Sequence, residues 1–221
     1  MASNTLDNSS KARVVVLISG SGSNLQAIID QTEQGQLPIE ICAVISNKDN
    51  VKGLERAAHH NIPAIVLDHT LFDSRESFDL RLQEIIDAQS PDIIVLAGFM
   101  RILTEAFTRH FEGKMLNIHP SLLPKYTGLH THRRALEAGD KEHGVTVHFV
   151  TSELDGGPPV IQARVPVLDD DTEASLAARV LQQEHHIYPL AVRWMAEKRL
   201  EMRDNKCWLD GEVLPPSGHQ Y

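Results

Sequence analysis

The stretch that decides the fold is Arg13-Val-Val-Val-Leu-Ile-Ser-Gly-Ser-Gly-Ser-Asn-Leu25. Its first seven residues form an apolar, β-branched run, which is typical of a strand buried on both faces of a parallel sheet. The glycine-rich loop leads into helical spacing over residues 24–34, where Leu25, Ile28 and Ile29 share one face. A strand, a tight loop and a helix in this order are the first unit of an α/β fold.

The same alternation of strands and helices continues along the chain. Strands are predicted at residues 39–45, 64–67, 91–97, 114–118, 144–150 and 160–167, and helices at residues 53–60, 74–88, 104–111 and 173–197. This order predicts a doubly wound, mostly parallel sheet flanked by helices, with right-handed crossovers. The last two strands should extend the sheet as a hairpin-like pair, and residues 208–216 should form a small terminal extension, so the fold class is α/β with a C-terminal antiparallel extension.

Composition narrows the class of protein. The chain has 221 residues and a formal net charge of −9, which argues against broad contact with nucleic acid. It has no apolar run near the ~20 residues that span a bilayer, and its polar N-terminus lacks the apolar core of a secretion signal. Two cysteines fit a reducing compartment. A cytoplasmic protein is expected, with residues 1–12 as a flexible extension before one domain over residues 13–216.

The loop Ser19-Gly-Ser-Gly-Ser-Asn24 has the chemistry of an anion site. Glycine allows close approach of the backbone to a phosphate, and the next helix directs its positive N-terminal end to the same place. The loop lacks the third glycine of the dinucleotide fingerprint and the lysine of a P-loop. Ser46-Asn47, rather than an acidic residue, follows the second strand. A phosphate ligand is therefore predicted, and a nicotinamide cofactor is disfavoured.

A second motif, Asn117-Ile-His-Pro-Ser-Leu-Leu-Pro124, follows an apolar strand-like run. Residues two apart on an extended backbone point to the same side, so Asn117 and His119 should share a face. A carboxamide donates a hydrogen bond without titrating, and an imidazole passes a proton near neutral pH. Together they can stabilise the oxyanion of an acyl transfer.

A third motif, Leu154-Asp-Gly-Gly-Pro158, reads as a tight exposed turn. Asp155 has a catalytic role only if it approaches His119, where a carboxylate would orient the imidazole and favour its charged form. Two other sites stay open at this point. One is a hydrolase triad of Ser121, His119 and Asp155, although Ser121 lacks a nucleophile elbow. The other is a metal site, although the histidines lack familiar spacing for zinc; they are His130, His132, His143 and His148.

Five segments, in order along the chain, carry a resemblance to a known family: ISGSGSNLQA (18–27), AGFMRIL (97–103), NIHPSLLP (117–124), HGVTVH (143–148) and LDGGP (154–158). They resemble the phosphoribosylglycinamide formyltransferases, the folate-dependent enzymes of purine synthesis. The resemblance covers residues 13–216. The third and fifth segments are shared by a wider group of formyl-folate enzymes. The glycine-rich start and Gln183-Glu-His185 narrow the resemblance to the phosphoribosylglycinamide formyltransferases.

The resemblance implies a catalytic trio of Asn117, His119 and Asp155. It implies that the phosphate of glycinamide ribonucleotide is bound by Gly22, Ser23 and Asn24, and its ribose or glycinamide part by Glu184. The 10-formyltetrahydrofolate co-substrate is expected to contact Arg75, Met100, Arg101, Ile102, Leu103, Asn117, Thr151, Ser152, Glu153, Leu154 and Asp155. A nucleotide-binding lobe (about 13–111) and a folate and catalytic lobe (about 112–216) follow from this assignment.

The same resemblance implies that these two small molecules are the partners and that no metal is needed. Charge and hydropathy predict no nucleic acid and no membrane as partners, and the oligomeric state is left open between a monomer and a homodimer. The sequence departs from the family pattern at Thr127, where proline is frequent, and at Pro159, where an aliphatic residue is usual. The alternative activities are those of a formyltetrahydrofolate hydrolase or a methionyl-tRNA formyltransferase-like enzyme. A non-catalytic nucleotide-binding module and a metallohydrolase are the alternatives outside this group.

Overall fold

A computed structural model describes residues 11–221. The predicted flexible extension covers residues 1–12, and its first ten residues lie outside the described residues. Its main sheet has eight strands in the order β3-β2-β1-β4-β5-β6-β7-β11. Strands β1 to β5 pair in parallel, β6 and β7 pair antiparallel, and β11 lies parallel to β7. These strands are β1 Ala12–Ile18, β2 Ile39–Ser46, β3 Ala64–Val66, β4 Ile93–Leu96, β5 Met115–His119, β6 Glu142–Phe149, β7 Pro159–Pro166 and β11 His219–Gln220.

Helices cover both faces of this sheet. They are α1 Ser23–Glu33, α2 Lys52–His59, α3 Arg75–Gln89, α4 Glu105–His110, α5 Thr131–Glu137 and α6 Glu173–Ala196, with a 3₁₀ turn at His69–Leu71. The strand β1 is apolar on both faces because helices pack on both sides of it. Val14, Val16 and Ile18 pack with α1, α2 and α6, whereas Val15 and Leu17 pack with α3 and α4. The predicted doubly wound, mostly parallel sheet flanked by helices is confirmed.

Three features differ from the sequence expectations. The predicted C-terminal antiparallel extension is confirmed, but it forms a separate sheet of β8 Leu200–Arg203, β9 Lys206–Leu209 and β10 Glu212–Val213, and it begins before residue 208. Strand β11 joins the main sheet beyond residue 216. Helix α5 was not predicted, because its polar sequence buries little apart from Thr131 and Ala135. Short or polar elements of this kind lack the apolar periodicity on which sequence prediction depends.

The order of the strands places the functional loops. The chain crosses from β1 to β2 on one side and later returns to place β4 on the other side of β1, so the loops after β1 and β4 diverge. In open α/β sheets a ligand crevice forms at this switch point, outside the carboxyl ends of the strands. Helix α6 is fixed there by Tyr188, whose buried hydroxyl donates to the carbonyls of Leu96 (2.7 Å) and Leu116 (3.0 Å). Within residues 11–221 no helix is long and apolar enough to cross a membrane.

Candidate active site

The structure brings Asn117, His119 and Asp155 together. Asn117 and His119 lie on β5 two residues apart, and Asp155 lies on the loop between β6 and β7. The Asp155 Oδ1 atom is 3.6 Å from His119 Nδ1, and their side chains are only 7% and 9% exposed. Gly157 shapes this loop, because a Cβ atom there would lie 1.8 Å from the Phe149 carbonyl oxygen. The structure therefore places Asp155 close to His119, as the catalytic role predicted for Asp155 requires.

The loop at residues 124–130 contacts both members of this pair. His119 Nε2 lies 2.8 Å from the Tyr126 carbonyl oxygen. The Gly128 backbone N–H donates to Asp155 Oδ2 at 2.8 Å. Tyr126, Gly128 and His130 all have positive φ angles, and the Thr127 carbonyl accepts a hydrogen bond from Arg134 at 2.6 Å. Backbone groups of this loop thus contact one polar atom of His119 and one of Asp155.

His148 is a member of the site that the sequence did not reveal. It lies opposite Asn117 in the β5–β6 register. Its Nδ1 lies 2.9 Å from the Phe149 carbonyl and its Nε2 lies 3.3 Å from Asn117 Nδ2. Since a carbonyl only accepts, Nδ1 carries the hydrogen and Nε2 accepts one of the two hydrogens of the Asn117 amide. Within residues 11–221 the Asn117 Nδ2 atom makes no other hydrogen bond, so its second hydrogen can bind a ligand oxygen.

Burial makes His148 a source of acid sensitivity. Desolvation lowers the pKa of this imidazole to about 4, even though Asp155 Oδ1 is 4.0 Å away and acts in the opposite direction. In the unfolded chain its pKa is near 6.5, so as the pH falls the unfolded state binds the proton first. The free energy of unfolding should therefore be unaffected by this group above pH 6.5 and fall between pH 6.5 and 4.

We expect His148→Gln to remove about 2 kcal/mol of the loss in unfolding free energy between pH 7 and pH 5. Glutamine does not titrate in this range, and its amide oxygen can still accept from Asn117. Urea unfolding of both proteins at the two pH values measures the difference. His59→Gln, on the exposed part of α2, is the control and should leave the acid sensitivity unchanged. An equal pH dependence in all three proteins would contradict the buried, neutral state of His148.

The predicted anion loop has the geometry of an anion cradle. Gly22 caps α1 with a left-handed conformation (φ 69°, ψ 30°), and it has no side-chain capping hydrogen bond. The first N–H groups of a helix have no intrahelical acceptor, so those of Ser23 and Asn24 are directed out of the helix end. Only glycine fits at position 22, because a Cβ atom there would lie 2.7 Å from Gly53 Cα.

Glu184 joins this loop from α6. Asn24 Nδ2 donates to Glu184 Oε2 at 2.7 Å, and both residues are 9% exposed. Burial raises the pKa of the Glu184 carboxyl, and the bond from Asn24 acts in the opposite direction. The Oδ1 atom of Asn24 is buried and has no partner among the described residues. The ribonucleotide residues predicted from the sequence, distant along the chain, are thus assembled at one place.

The predicted folate segment follows β4. The Met100 backbone N–H donates to Ser19 Oγ at 2.8 Å, and the Arg101 guanidinium lies 4.8 Å from the centre of the Phe78 ring. The Thr104 N–H donates to the buried Asp79 carboxylate at 2.6 Å, which fixes the end of the segment. Burial raises the pKa of Asp79, whereas the charges of Arg101 and Arg75 act to lower it. Arg75, the first residue of α3, therefore lies in the same charged neighbourhood as Arg101.

The other residues predicted to contact the folate, apart from Asn117 and Asp155, lie at or near the surface. Met100, Ile102 and Leu154 are 62%, 56% and 54% exposed, which is unusual for large apolar side chains. The others are exposed or half-buried: Leu103, Thr151, Ser152 and Glu153. Exposed apolar side chains near a polar site suit a ligand with an aromatic ring.

The histidines considered as metal ligands lie in different surroundings. His132 Nδ1 is 3.1 Å from His143 Nε2, whereas His148 faces Asn117. Within residues 11–221 no group of three or more His, Cys, Asp or Glu side chains is placed to hold a metal ion. Ser121 is fully buried and donates to the Lys125 carbonyl at 2.6 Å, so its hydroxyl is not available as a nucleophile.

Comparisons with known proteins identify the family. A family model described as formyl transferase matches residues 12–192. Phosphoribosylglycinamide formyltransferase of Escherichia coli (strain K12) is 57% identical over 206 residues, which cover 93% of this chain and 97% of that protein. The human trifunctional purine biosynthetic protein adenosine-3 is 46% identical over 204 residues, 91% of this chain and 20% of that protein. The structure of phosphoribosylglycinamide formyltransferase from Coxiella burnetii in complex with CHES has a TM-score of 0.92 and 52% identity, covering 96% of this chain and 99% of that one. The chain therefore belongs to the formyl transferase family.

Proposed function

We propose that this chain transfers the formyl group of 10-formyltetrahydrofolate to the amine of 5-phosphoribosylglycinamide, giving formylglycinamide ribonucleotide and tetrahydrofolate in purine synthesis. The observation that carries the proposal is the gathering of Asn117, His119 and Asp155 in a chain 57% identical to a phosphoribosylglycinamide formyltransferase. The comparisons do not favour a formyl-folate hydrolase or a methionyl-tRNA formyltransferase. The polar groups present match the needs of acyl transfer between two small molecules.

The reaction begins when the amine of the ribonucleotide attacks the formyl carbon on N10 of the folate. Negative charge develops on the formyl oxygen. The free hydrogen of the Asn117 amide and the protonated His119 stabilise it, each by about 3 kcal/mol for a well-placed donor. His148 supports this step indirectly, because it accepts the other amide hydrogen of Asn117 and so fixes the orientation of the carboxamide.

His119 also supplies the proton. The bond between the formyl carbon and N10 breaks as His119, directly or through water, gives its proton to N10. The neutral imidazole then takes up the proton that the attacking amine loses. Both nitrogens of His119 face acceptors, the Tyr126 carbonyl at 2.8 Å and the Asp155 carboxylate at 3.6 Å. Only the imidazolium has a hydrogen on both nitrogens, so Asp155 orients the charged form. The transfer therefore requires no metal and no covalent bond to the protein.

Access to His119 requires a change in the loop over the site. The Tyr126 carbonyl accepts from Nε2, so this donor cannot bind the formyl oxygen while the loop keeps that contact. Substrate binding therefore has to displace residues 124–130 from the imidazole. Thr127 lies in this loop and gives it more backbone freedom than the proline frequent in the family.

Two groups of residues bind the substrates. Gly22, Ser23 and Asn24 hold the phosphate and Glu184 contacts the ribose or glycinamide part, so the nucleotide lobe covers residues 13–111 with a contribution from α6. Asn117 and Asp155 of the catalytic lobe, residues 112–216, also contact the folate. The other folate contacts are Arg75, Met100, Arg101, Ile102, Leu103, Thr151, Ser152, Glu153 and Leu154. We place the protein in the cytoplasm, because Cys42 and Cys207 are free and buried, as in a reducing compartment. Its oligomeric state is proposed to be a monomer or a homodimer.

The activity is tested by following the absorbance change on loss of the formyl group from 10-formyltetrahydrofolate, with and without glycinamide ribonucleotide. We expect tetrahydrofolate to form only when the ribonucleotide is present, with one formylglycinamide ribonucleotide for each tetrahydrofolate. Formyl loss without the ribonucleotide would identify a hydrolase and contradict the proposal. Binding of both compounds with no turnover would identify a non-catalytic module and contradict it as well.

A further inference from the structure

We infer that helix α2, through Gly53 and Arg56, sets the direction of the backbone amides that bind the phosphate, and that Arg56 is a positioning residue for ribonucleotide binding. The inference rests on the proposed function, since it explains how the anion loop keeps its shape. It concerns residues outside the set that contacts either substrate. It follows from the bonds between α2 and the loop carbonyls.

Two successive carbonyl groups of the loop are held by α2. The Gly53 backbone N–H donates to the Gly20 carbonyl at 3.0 Å. The Arg56 side chain donates from Nε to the Ser21 carbonyl at 2.8 Å. Both carbonyls therefore point towards α2.

The direction of the carbonyls fixes the direction of the amides. In a planar trans peptide the C=O of one residue and the N–H of the next point in opposite directions. Since the carbonyls of Gly20 and Ser21 point towards α2, the N–H groups of Ser21 and Gly22 point away from it. The Gly22 carbonyl accepts from Gln26 N–H at 2.9 Å within α1, so the Ser23 N–H points out of the helix end. Successive amides arranged around a left-handed residue form an anion-binding concavity.

Packing of the two glycines keeps α2 close enough for these bonds. A Cβ atom on Gly22 would lie 2.7 Å from Gly53 Cα, and one on Gly53 would lie 2.4 Å from Ile18 Cδ1 and 3.1 Å from the Gly20 carbonyl oxygen. Arg56 is braced in turn by Gln26, whose Oε1 accepts from Nη1 at 3.2 Å. The guanidinium thus joins the loop, α1 and α2, and a lysine at this position could make only part of these contacts.

The test compares Arg56→Met, Arg56→Lys and Gly53→Ala with the unmodified protein on two substrates, glycinamide ribonucleotide and the phosphate-free glycinamide riboside. For Arg56→Met we expect the KM for the ribonucleotide to rise about tenfold, with kcat and the KM for the folate within twofold. The inhibition constant of inorganic phosphate should rise by a similar factor. With the riboside, kcat/KM should be the same as for the unmodified protein, because no phosphate depends on the amides.

The other two variants test whether Arg56 acts by positioning the anion loop or only by attracting the phosphate through its charge. Arg56→Lys keeps the charge and should raise the ribonucleotide KM about threefold, whereas Gly53→Ala changes no charge and should raise it about fivefold. Full recovery in Arg56→Lys together with an unchanged KM in Gly53→Ala would show that Arg56 acts through its charge alone and would overturn the inference. Arg109→Met removes an exposed arginine that pairs with Glu105 on α4, and it should leave every constant unchanged.

The result also distinguishes a failure of the inference from a failure of the proposed phosphate site. If the unmodified protein used the riboside as well as the ribonucleotide, the phosphate site would be wrong, and the inference with it. If the unmodified protein preferred the ribonucleotide but Arg56→Met kept the same preference and the same phosphate inhibition, only the role of Arg56 would be overturned.

Discussion

Replacing His119 with alanine is expected to lower kcat about 10³-fold, with little change in the KM of either substrate. In the proposed mechanism the imidazole is the proton donor of the trio and also stabilises the oxyanion, so its removal should affect two steps of the same reaction. Asn117 remains and continues to donate one hydrogen bond, which should leave a measurable residual rate. Steady-state kinetics with saturating co-substrate measures the loss.

A second variant tests the role proposed for Asp155, which is to orient the imidazolium of His119. Asp155→Asn keeps an oxygen acceptor for the Gly128 N–H and suits the left-handed backbone at this position (φ 52°), so the loop should keep its shape. We expect a loss of about 10²-fold in kcat, because the charge that orients the imidazolium is gone. The double variant should be no slower than His119→Ala alone, since Asp155 acts through His119.

Two outcomes would contradict the scheme. Near-normal formyl transfer in either single variant would remove the residue from the mechanism. Multiplicative losses in the double variant would show that Asp155 acts on the reaction independently of His119. His59→Ala, on the exposed part of α2, should behave like the unmodified protein, and thermal unfolding of each variant separates loss of chemistry from loss of fold.

The main fold could be predicted from the sequence because its strands are buried on both faces. The run from Val14 to Ile18 has no polar residue, and that pattern occurs in the centre of a parallel sheet. The separate C-terminal sheet has only four residues in β8 and in β9, and its strands are partly exposed. Strand β11 has two exposed residues and joins the sheet through its backbone. The sequence therefore predicts a terminal antiparallel extension, but not the bounds of its strands and not the strand β11.

The sequence names candidate residues for the site but does not give the contacts between them. The motifs named Asn117, His119 and Asp155, yet their distances depend on how β6 pairs with β5. That register places His148 against Asn117, and a shift in the pairing of β6 with β7 follows Val147. The hydrophobic pattern and a tight turn can set the register of a hairpin, but the connection between β5 and β6 is long and contains α5, so no turn fixes their pairing in the sequence. The Tyr126 carbonyl and the Gly128 amide were also missed, because backbone groups are the same at every position and only the fold shows which of them meet a side chain.

Replacing Asn24 with leucine is expected to raise the KM for glycinamide ribonucleotide about tenfold and to leave the KM for the folate unchanged. Leucine has a similar volume but cannot donate to the buried Glu184 carboxyl, which now accepts from Asn24 at 2.7 Å. A buried acceptor without its donor costs about 1–3 kcal/mol, so a lower unfolding temperature should accompany the change.

The second expected consequence concerns the charge of Glu184. Burial already raises the pKa of this carboxyl, and loss of the Asn24 donor removes a contact that favours the ionised form. A neutral Glu184 is a weaker acceptor for a substrate hydroxyl. We therefore expect Glu184→Gln to raise the KM for glycinamide ribonucleotide. The glutamine side chain keeps an oxygen that accepts from Asn24. In the double variant the effect should be smaller than the product of the single effects, because both changes remove the same ionised acceptor. An unchanged ribonucleotide KM in Asn24→Leu, or an equal rise in the KM for the folate, would show that this buried pair does not belong to the ribonucleotide site.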